Sequence, residues 1–454
     1  MHSVIHTRSH SILVLYDPNA LATEFVRQHL MAIQRHSRHD VAYAAATFDC
    51  KADFPLELFD ALVIHFSVRM PFETMSPSFV ELVSSFSGPK VLLIQDEYDM
   101  PRKACALIRK LGVDTIFTTV PKPFVEKFYP SDELPNVKFR SCLTGYVPDE
   151  LPFELATPLA ERRLWLAYRG RKLPIWYGQL GFEKSTIAQR MKAECAARNL
   201  PHDIEWEEDK RVNGSAWFSF MTDTRAMLGT ESGANVLDAW GDIRNAVLAM
   251  AKEQPDLSDD ELYRRVVAPH ENNVSMGQMS PKIFEAIGLK TGLVLFEGSY
   301  SNVIRPDEHY IPLRKDYSNL DDVLKRLADV PSLQKMVDRA YHDVILGGAY
   351  GYHRFVSDID EAIEQASTLG PPRERRPTFA LVRIDAQQQS WSALTPHLPL
   401  TAPIELRSPQ PHPLISGKAR DLWLKLPERV RTPLASLFGP PARRIRALIG
   451  SDSH

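Results

Sequence analysis

SPKIFEAIGLKTGLVLFEGSYSN (280–302) carries a helix, a strand and a polar loop in one short span. Ser280 suits the N-cap of a helix and Pro281 its first position, where the missing proline N–H costs no intrahelical bond. SPKIFEAIGL (280–289) therefore predicts a helix. TGLVLFEG (291–298) is a short apolar run between turn formers and predicts a buried strand.

The alternation continues in both directions. Upstream, RRLWLAYRG (162–170), DIEWEE (203–208) and RAMLGT (225–230) predict strands, with a helix over 183–199 and two more within 240–267. Downstream, LDDVLKRLADV (320–330), PSLQKMVDRAYHDVI (331–345) and FVSDIDEAIEQAS (355–367) have helical spacing. The first third repeats the pattern. SILVLYD (11–17), DVAYAA (40–45), ALVIHF (61–66), KVLLIQ (90–95), VDTIFTT (113–119) and VKFRSCL (137–143) read as strands, with helices over 19–35, 76–86 and 101–111. Such alternation implies α/β domains with parallel sheets covered by helices on both faces, and ligand sites at the carboxyl ends of the strands. The Pro-rich stretch GYVPDELPFELATPLAE (145–161) reads as a linker. Domains are expected over 1–148 and 149–350, the second with an insertion at 239–276, followed by a crossover helix in 351–369 and a Pro-rich, basic tail over 370–454.

The composition, 44% hydrophobic and 24% charged over 454 residues, is that of a globular protein with room for more than one core. A formal charge of -3 gives no basic footprint for nucleic acid. The cysteines Cys50, Cys105, Cys142 and Cys195 are scattered, which argues for a reducing compartment and against a zinc cluster or disulfide framework. No signal-peptide pattern and no run long enough to cross a bilayer is present, so a cytoplasmic location is expected. In 417–449, Arg429, Arg431, Arg443, Arg444 and Arg446 interleave with apolar residues, a pattern that suits either peripheral contact with the inner face of a membrane or docking on the protein itself.

Ser280 and Lys282 at a helix start form a candidate anion site, and Glu285 lies just over one turn inside, where a carboxylate can accept both hydroxyls of a ribose. The plain alternative is a capped surface helix. The longer segment MGQMSPKIFEAIGLKTGLVLFEGSYSNVI (276–304) resembles the nucleotide-sugar-binding segment of GT-B glycosyltransferases, especially retaining enzymes of the family 4 type. That resemblance implies two facing Rossmann-like domains, with Glu285 on the donor ribose and Ser299 and Ser301 near the phosphates. Family members carry a second Glu eight residues earlier, where this chain has Gly277. LGTESGANVLD (228–238) offers Glu231 as its replacement, across an insertion, with Ser232 and Gly233 beside it as donor contacts. Gly233 also reads simply as a turn residue supplying unusual backbone angles. His270 and Glu271 within the insertion read as a surface loop.

In YRGRKLPIWYGQLGFEK (168–184) the resemblance makes Arg169, Arg171 and Lys184 candidates for the diphosphate. Fixed cations there would stabilise the charge a leaving nucleoside diphosphate gathers, with no metal implied. His65 and the pair Asp96–Glu97 end predicted strands of the first domain and are candidate contacts for acceptor and transferred sugar, an acid there being able to take or orient a hydroxyl proton. The expected activity is sugar transfer from a nucleoside-diphosphate sugar co-substrate to a sugar, lipid-linked or protein hydroxyl, with retention, in glycan or glycolipid synthesis. Two other readings stay open: a nucleotide-sugar epimerase, and a non-catalytic sugar-nucleotide-binding protein. A signalling receiver domain is rejected, because Tyr16–Asp17 and His65 stand where an acidic pair and an Asp are needed.

Overall fold

A computed structural model describes residues 10–372, apart from 53, 55 and 213. The tail beyond, including the basic stretch 417–449, lies outside the described residues. The chain divides into two compact units. The first holds the chain up to Cys142 and takes it up again at Tyr352; the second is Leu143–Gly351.

In the first unit six parallel strands, β1 Ser11–Tyr16, β2 Asp40–Ala45, β3 Ala61–Ile64, β4 Lys90–Leu93, β5 Thr115–Thr118 and β6 Lys138–Ser141, lie in the order β2-β1-β3-β4-β5-β6. Helices α1 Glu24–His36, α2 Pro77–Ser85, α3 Pro101–Leu111 and the short α4 Val125–Phe128 connect them. β3 and β4 are buried at every residue, which is why their sequences run apolar instead of alternating. The α3 helix stops at Gly112, whose φ of 66° is the left-handed conformation that favours glycine.

The second unit opens with the linker; Arg162, just after it, is buried and donates to the carbonyls of Thr157, Thr224 and Leu289 and to Thr291 Oγ1. Its strands β7 Leu164–Arg169, β8 His202–Glu205, β9 Thr224–Gly229, β10 Gly292–Phe296 and β11 Ile311–Leu313 form a parallel sheet in the order β11-β10-β9-β7-β8. The helices are α5 Gln179–Ala197, α6 Ser215–Thr222, α7 Asp242–Glu253, α8 Asp259–Leu262, α9 Pro281–Gly288, α10 Leu320–Ala328 and α11 Val330–Ala340. The α/β class and the two Rossmann-like units anticipated from the sequence are present. The helix α12, Tyr352–Glu364, returns the chain to the first unit, where Asp360 accepts from Ser37 Oγ and Arg38 N, both at 2.8 Å.

β10 shows how the second sheet is held. Val294 and Phe296 enter one core with Leu166, Leu228 and Ile187. Leu293 and Leu295 enter the opposite core with Met227, Phe284 and Ile287, as the two-residue period of a strand requires. Burying each such side chain contributes roughly 1.5–3 kcal/mol. On α9 the buried residues are Ile283, Phe284, Ala286, Ile287 and Gly288, so the helix turns Lys282 and Glu285 away from the core. Among the described residues no helix is long and apolar enough to cross a membrane.

Candidate functional site

In the second sheet the chain order reverses between β7 and β9. Their carboxyl ends diverge there, and a cleft of ≈ 270 Å³ opens beside them. Arg171, Lys184, Arg211 and Lys282 line it, together with Ser232 and Ser280. Ser280 stands at the N-cap position of α9 as expected, but its side chain makes no capping bond. The start of α9 therefore presents its amide end and partial positive charge at the cleft.

The cations differ in what holds them. Arg171 has no ion-pair partner among the described residues. Lys184 lies 3.2 Å from Ser232 Oγ. Arg211 pairs with Glu208 at 3.0 Å, both side chains well exposed. Lys282 donates to the Arg169 carbonyl at 2.8 Å and lies 5.3 Å over the Trp217 ring. Desolvation by the surrounding protein pushes its ammonium down to about 8; Arg211 and Arg171 push the same way, and Glu285 opposes them. Lys282 is an exposed residue overall, so the crowding acts on its head group. Cations that repel one another around an amide-rich helix start make a place for a multiply charged anion.

Arg169 also borders the cleft, but its guanidinium is committed elsewhere. It pairs with Asp203 at 2.8 Å, donates to the carbonyls of Asp203, Tyr168 and Lys210, and lies 4.3 Å over the Phe220 ring. Its place is explained by tying β7 to β8. Glu285 accepts from Trp217 Nε1 at 2.8 Å.

Glu231 is bound into the loop after β10. Its Oε1 accepts from Ser299 N at 2.6 Å, Ser299 Oγ at 2.8 Å and Tyr300 N at 3.1 Å. Ser301 Oγ accepts from Met279 N, and Ser301 N donates to the Gly277 carbonyl. Ser299 and Ser301 thus join this loop to the end of the insertion, outside the cleft lining. A Cβ built on Gly277 would lie 2.9 Å from Glu231 Oε1. The Ser299 hydroxyl, nearer still at 2.3 Å, and the Glu231 carboxylate it binds therefore both crowd the space that a side chain at 277 would enter. Gly233, with φ of 104°, supplies a backbone angle that other residues avoid, and a Cβ there would meet Met276 Cβ at 2.5 Å. Glu271 is more than a surface residue. It accepts from Gln179 N at 2.8 Å and Tyr263 Oη at 2.7 Å, capping α5, while His270 is exposed.

The first-unit candidates lie in different settings. His65 is fully buried, its Nδ1 2.9 Å from Ser67 Oγ and its Nε2 3.0 Å from His29 Nδ1. Burial, and next the His29 ring, hold it well below the usual histidine range. Glu97 is also buried and accepts from Thr118 Oγ1, Thr119 N, Thr119 Oγ1 and Tyr129 Oη. Desolvation pushes its carboxyl up to about 7, against the pull of those four donors. Asp96 is the accessible one of the three, with its side chain 49% exposed, paired with Arg69 at 3.1 Å and accepting from Tyr98 Oη at 2.9 Å.

Arg211 and Trp217 were not singled out in the sequence. Arg211 sits in EEDKRVNG (207–214), where neighbouring acids mask a basic signal, and Trp217 in SAWFSFMT (215–222), a largely apolar run too short for its period to stand out. α6 itself went unanticipated for the same reason, as did the three-residue β11.

No protein-family model matches the chain, and no curated protein matches it by sequence. Solved structures with a similar fold include Anabaena Alr3699/HepE in complex with UDP and glucose, at 9% identity and a TM-score of 0.42, covering 79% of this chain and 100% of that one. T4 phage BGT in complex with its UDP-glucose substrate has 9% identity and a TM-score of 0.42, covering 78% of this chain and 99% of that one. TarM has 9% identity and a TM-score of 0.37, covering 67% of this chain and 55% of that one. At these values the likeness carries no residue assignment.

Proposed function

We propose that the chain is a glycosyltransferase that takes a nucleoside-diphosphate sugar as donor, with the GT-B arrangement and the retaining outcome that its resemblance to family 4 enzymes implies. The observation that carries this reading is the cluster of Arg171, Lys184, Arg211 and Lys282 around the start of α9 at the reversal point of the second sheet. That cluster suits a diphosphate. Glu285, on the same helix, suits the ribose that would follow it. In transfer, the negative charge growing on the leaving diphosphate would meet cations already in place, so little reorganisation would be needed as the sugar–phosphate bond breaks. The acceptor would be a hydroxyl of a sugar, a lipid-linked sugar or a protein, in glycan or glycolipid synthesis.

A second reading, a sugar-nucleotide-binding protein without turnover, is favoured by the engagement of Glu231 and the burial of His65 and Glu97. A thermal-shift panel of uridine, guanosine, adenosine, cytidine and thymidine diphosphate sugars tests the donor site first, because a ligand bound only to the folded state raises stability by mass action. One base should give a clear shift, and Glu285→Ala should weaken the affinity for that ligand by at least about tenfold without unfolding the domain. No shift across the panel would sink the donor reading. Binding without transfer or slow hydrolysis would select the second reading.

A further inference from the structure

Tyr168 and Gly170 share one face at the carboxyl end of β7. Tyr168 lies in the strand, and Gly170 still belongs to the ladder, its N–H donating to the Glu205 carbonyl at 3.2 Å. The two-residue period of a strand therefore puts both on the same side. Tyr168 enters the core beneath α5 with Leu166, Ile187 and Ala188 and is 6% exposed. Its ring passes over Gly170: a Cβ built there would lie 2.3 Å from Tyr168 Oη and 2.5 Å from Cε1 and Cζ. Gly170 thus leaves room for the phenol, and both residues line the cleft. Buried phenols ordinarily find a hydrogen-bond partner, yet among the described residues nothing bonds to Tyr168 Oη. Burial pushes this phenol above the usual tyrosine range, so it keeps its proton and stays a donor. Arg171 follows Gly170 in the chain, and Lys282 Nζ lies 2.8 Å from the carbonyl of Arg169, just before it.

We infer that Tyr168 is a further phosphate-binding residue of this cleft, its hydroxyl donating a hydrogen bond to an oxygen of the nucleoside diphosphate. The inference rests on the donor-site reading and adds a neutral contact to the cations already described. The two kinds of group do different work. A cation draws an anion from any direction, whereas a hydroxyl bonds well only along its own axis, so it selects where one oxygen sits. A hydroxyl donating to a charged oxygen is also among the stronger hydrogen bonds. Packing against α5 and over Gly170 already holds the ring, so little side-chain freedom is lost when the bond forms. The sequence hides this residue, because in RRLWLAYRG (162–170) a tyrosine reads as one more member of a buried strand.

The test is binding of inorganic pyrophosphate to the full chain, followed by calorimetry at neutral pH. Pyrophosphate needs no base, sugar or turnover, so its result is separate from that of a transferase assay. Tyr168→Phe keeps the ring and removes only the hydroxyl. Without ligand its melting temperature should equal or exceed that of the native chain, because no bond within the protein is lost. Its affinity for pyrophosphate should fall by about fivefold or more. That factor should be the same at low and high salt, since no charge has been removed, whereas the effect of Arg171→Ala should shrink as salt screens the lost cation. An unchanged affinity in Tyr168→Phe, with the native chain binding, overturns this inference and leaves the donor site standing. A loss that shrinks at high salt would trace to displaced cations and overturns it as well. If Tyr168→Phe melts lower or does not fold, the hydroxyl is bonded within the protein, which also refutes the inference. Absence of binding to the native chain would remove the donor site and this contact together.

Discussion

The buried histidine pair of the first unit should make that unit acid-sensitive by an amount the structure sets. His29 is 1% exposed and enclosed by Phe25, Phe66, Tyr352 and Phe355, with its Nδ1 3.0 Å from Nε2 of His65. Burial pushes it down to about 3 from the ordinary histidine value of 6.5. Above pH 6.5 the ring is neutral in both the folded and unfolded chain, and its contribution is complete. Below that, the unfolded chain takes up a proton that the folded one refuses. Stability is therefore lost as the pH falls from 6.5 towards 3, by about 1.4 kcal/mol per unit. Between pH 7 and pH 5 the loss is about 2 kcal/mol from His29 alone. His65 is depressed in the same direction and adds to it. His29→Gln leaves a polar partner for His65 Nε2 and removes the titration. The stability difference between native protein and His29→Gln should thus shrink by about 2 kcal/mol over those two pH units. Tryptophan emission is blind here, because residues 10–142 contain no tryptophan. Amide exchange of peptides from α1 and β3, corrected for intrinsic rates at each pH, reports the right unit. A difference that stays constant from pH 7 to pH 5 would refute the reasoning.

Glu97 should show the opposite trend. Its folded value of about 7 lies above the ordinary glutamate value of 4.5, so its stabilising contribution is complete below 4.5 and is lost as the pH rises through 7. Relative to Glu97→Gln, the native protein should lose about 2–3 kcal/mol between pH 5 and pH 8, read by exchange in β4 and β5. Arg169 and Arg171 should separate cleanly despite lining the same cleft. Arg171→Ala should weaken pyrophosphate binding by about tenfold with an unchanged melting temperature, whereas Arg169→Ala should lower the melting temperature first, through loss of the Asp203 pair and three carbonyl contacts. Equal effects of the two would contradict their distinct settings. Gly277→Ala should destabilise the second unit by more than about 1 kcal/mol, since φ is 48° and the new Cβ would meet Ser299 Oγ at 2.3 Å. A neutral result in urea unfolding would mean the loop adapts at no expense.

Sequence patterning reached the sheets because their strands are buried on both faces. ALVI in β3 and LVLF in β10 are legible without any partner in view, since short apolar runs bounded by turn formers suit strands buried on both faces. α9 was legible from its Ser-Pro start and its buried spacing. What patterning missed lies where tertiary contact overrides local signal. α6 is eight residues long and largely apolar, and it packs on β9, so no single face stands out in so short a run. The roles of Arg169 and Arg171 are two residues apart in one turn and chemically alike in sequence. Only the position of Asp203 on the neighbouring strand distinguishes them. His65 and Glu97 end strands, as a site residue would, but burial at a strand end is a property of what packs above it.

The second unit has three places along its sheet edge where backbone amides seek an anion, and two of them are already filled by the protein's own carboxylates. The start of α5, the helix after β7 that commonly receives phosphate in doubly wound folds, has its Gln179 N bound by Glu271 and its Leu180 N by Asn235 Oδ1. The loop after β10, where Tyr300, Ser301 and Asn302 all have positive φ, has Glu231 on the amides of Ser299 and Tyr300. Glu271 belongs to the insertion, and Glu231 lies a short way upstream of it, in the turn just after β9. The start of α9 is different: Ser280 leaves it uncapped, and cations gather around it. An inserted segment that closes one amide cluster, beside a carboxylate that closes another, leaves one direction in which an external anion gains both amides and counter-charge. The insertion therefore does more than lengthen the chain between two motifs. By fastening the loop that carries Arg171, through Lys172 to Asp259 at one end and Gln179 to Glu271 at the other, it fixes where the remaining charge points.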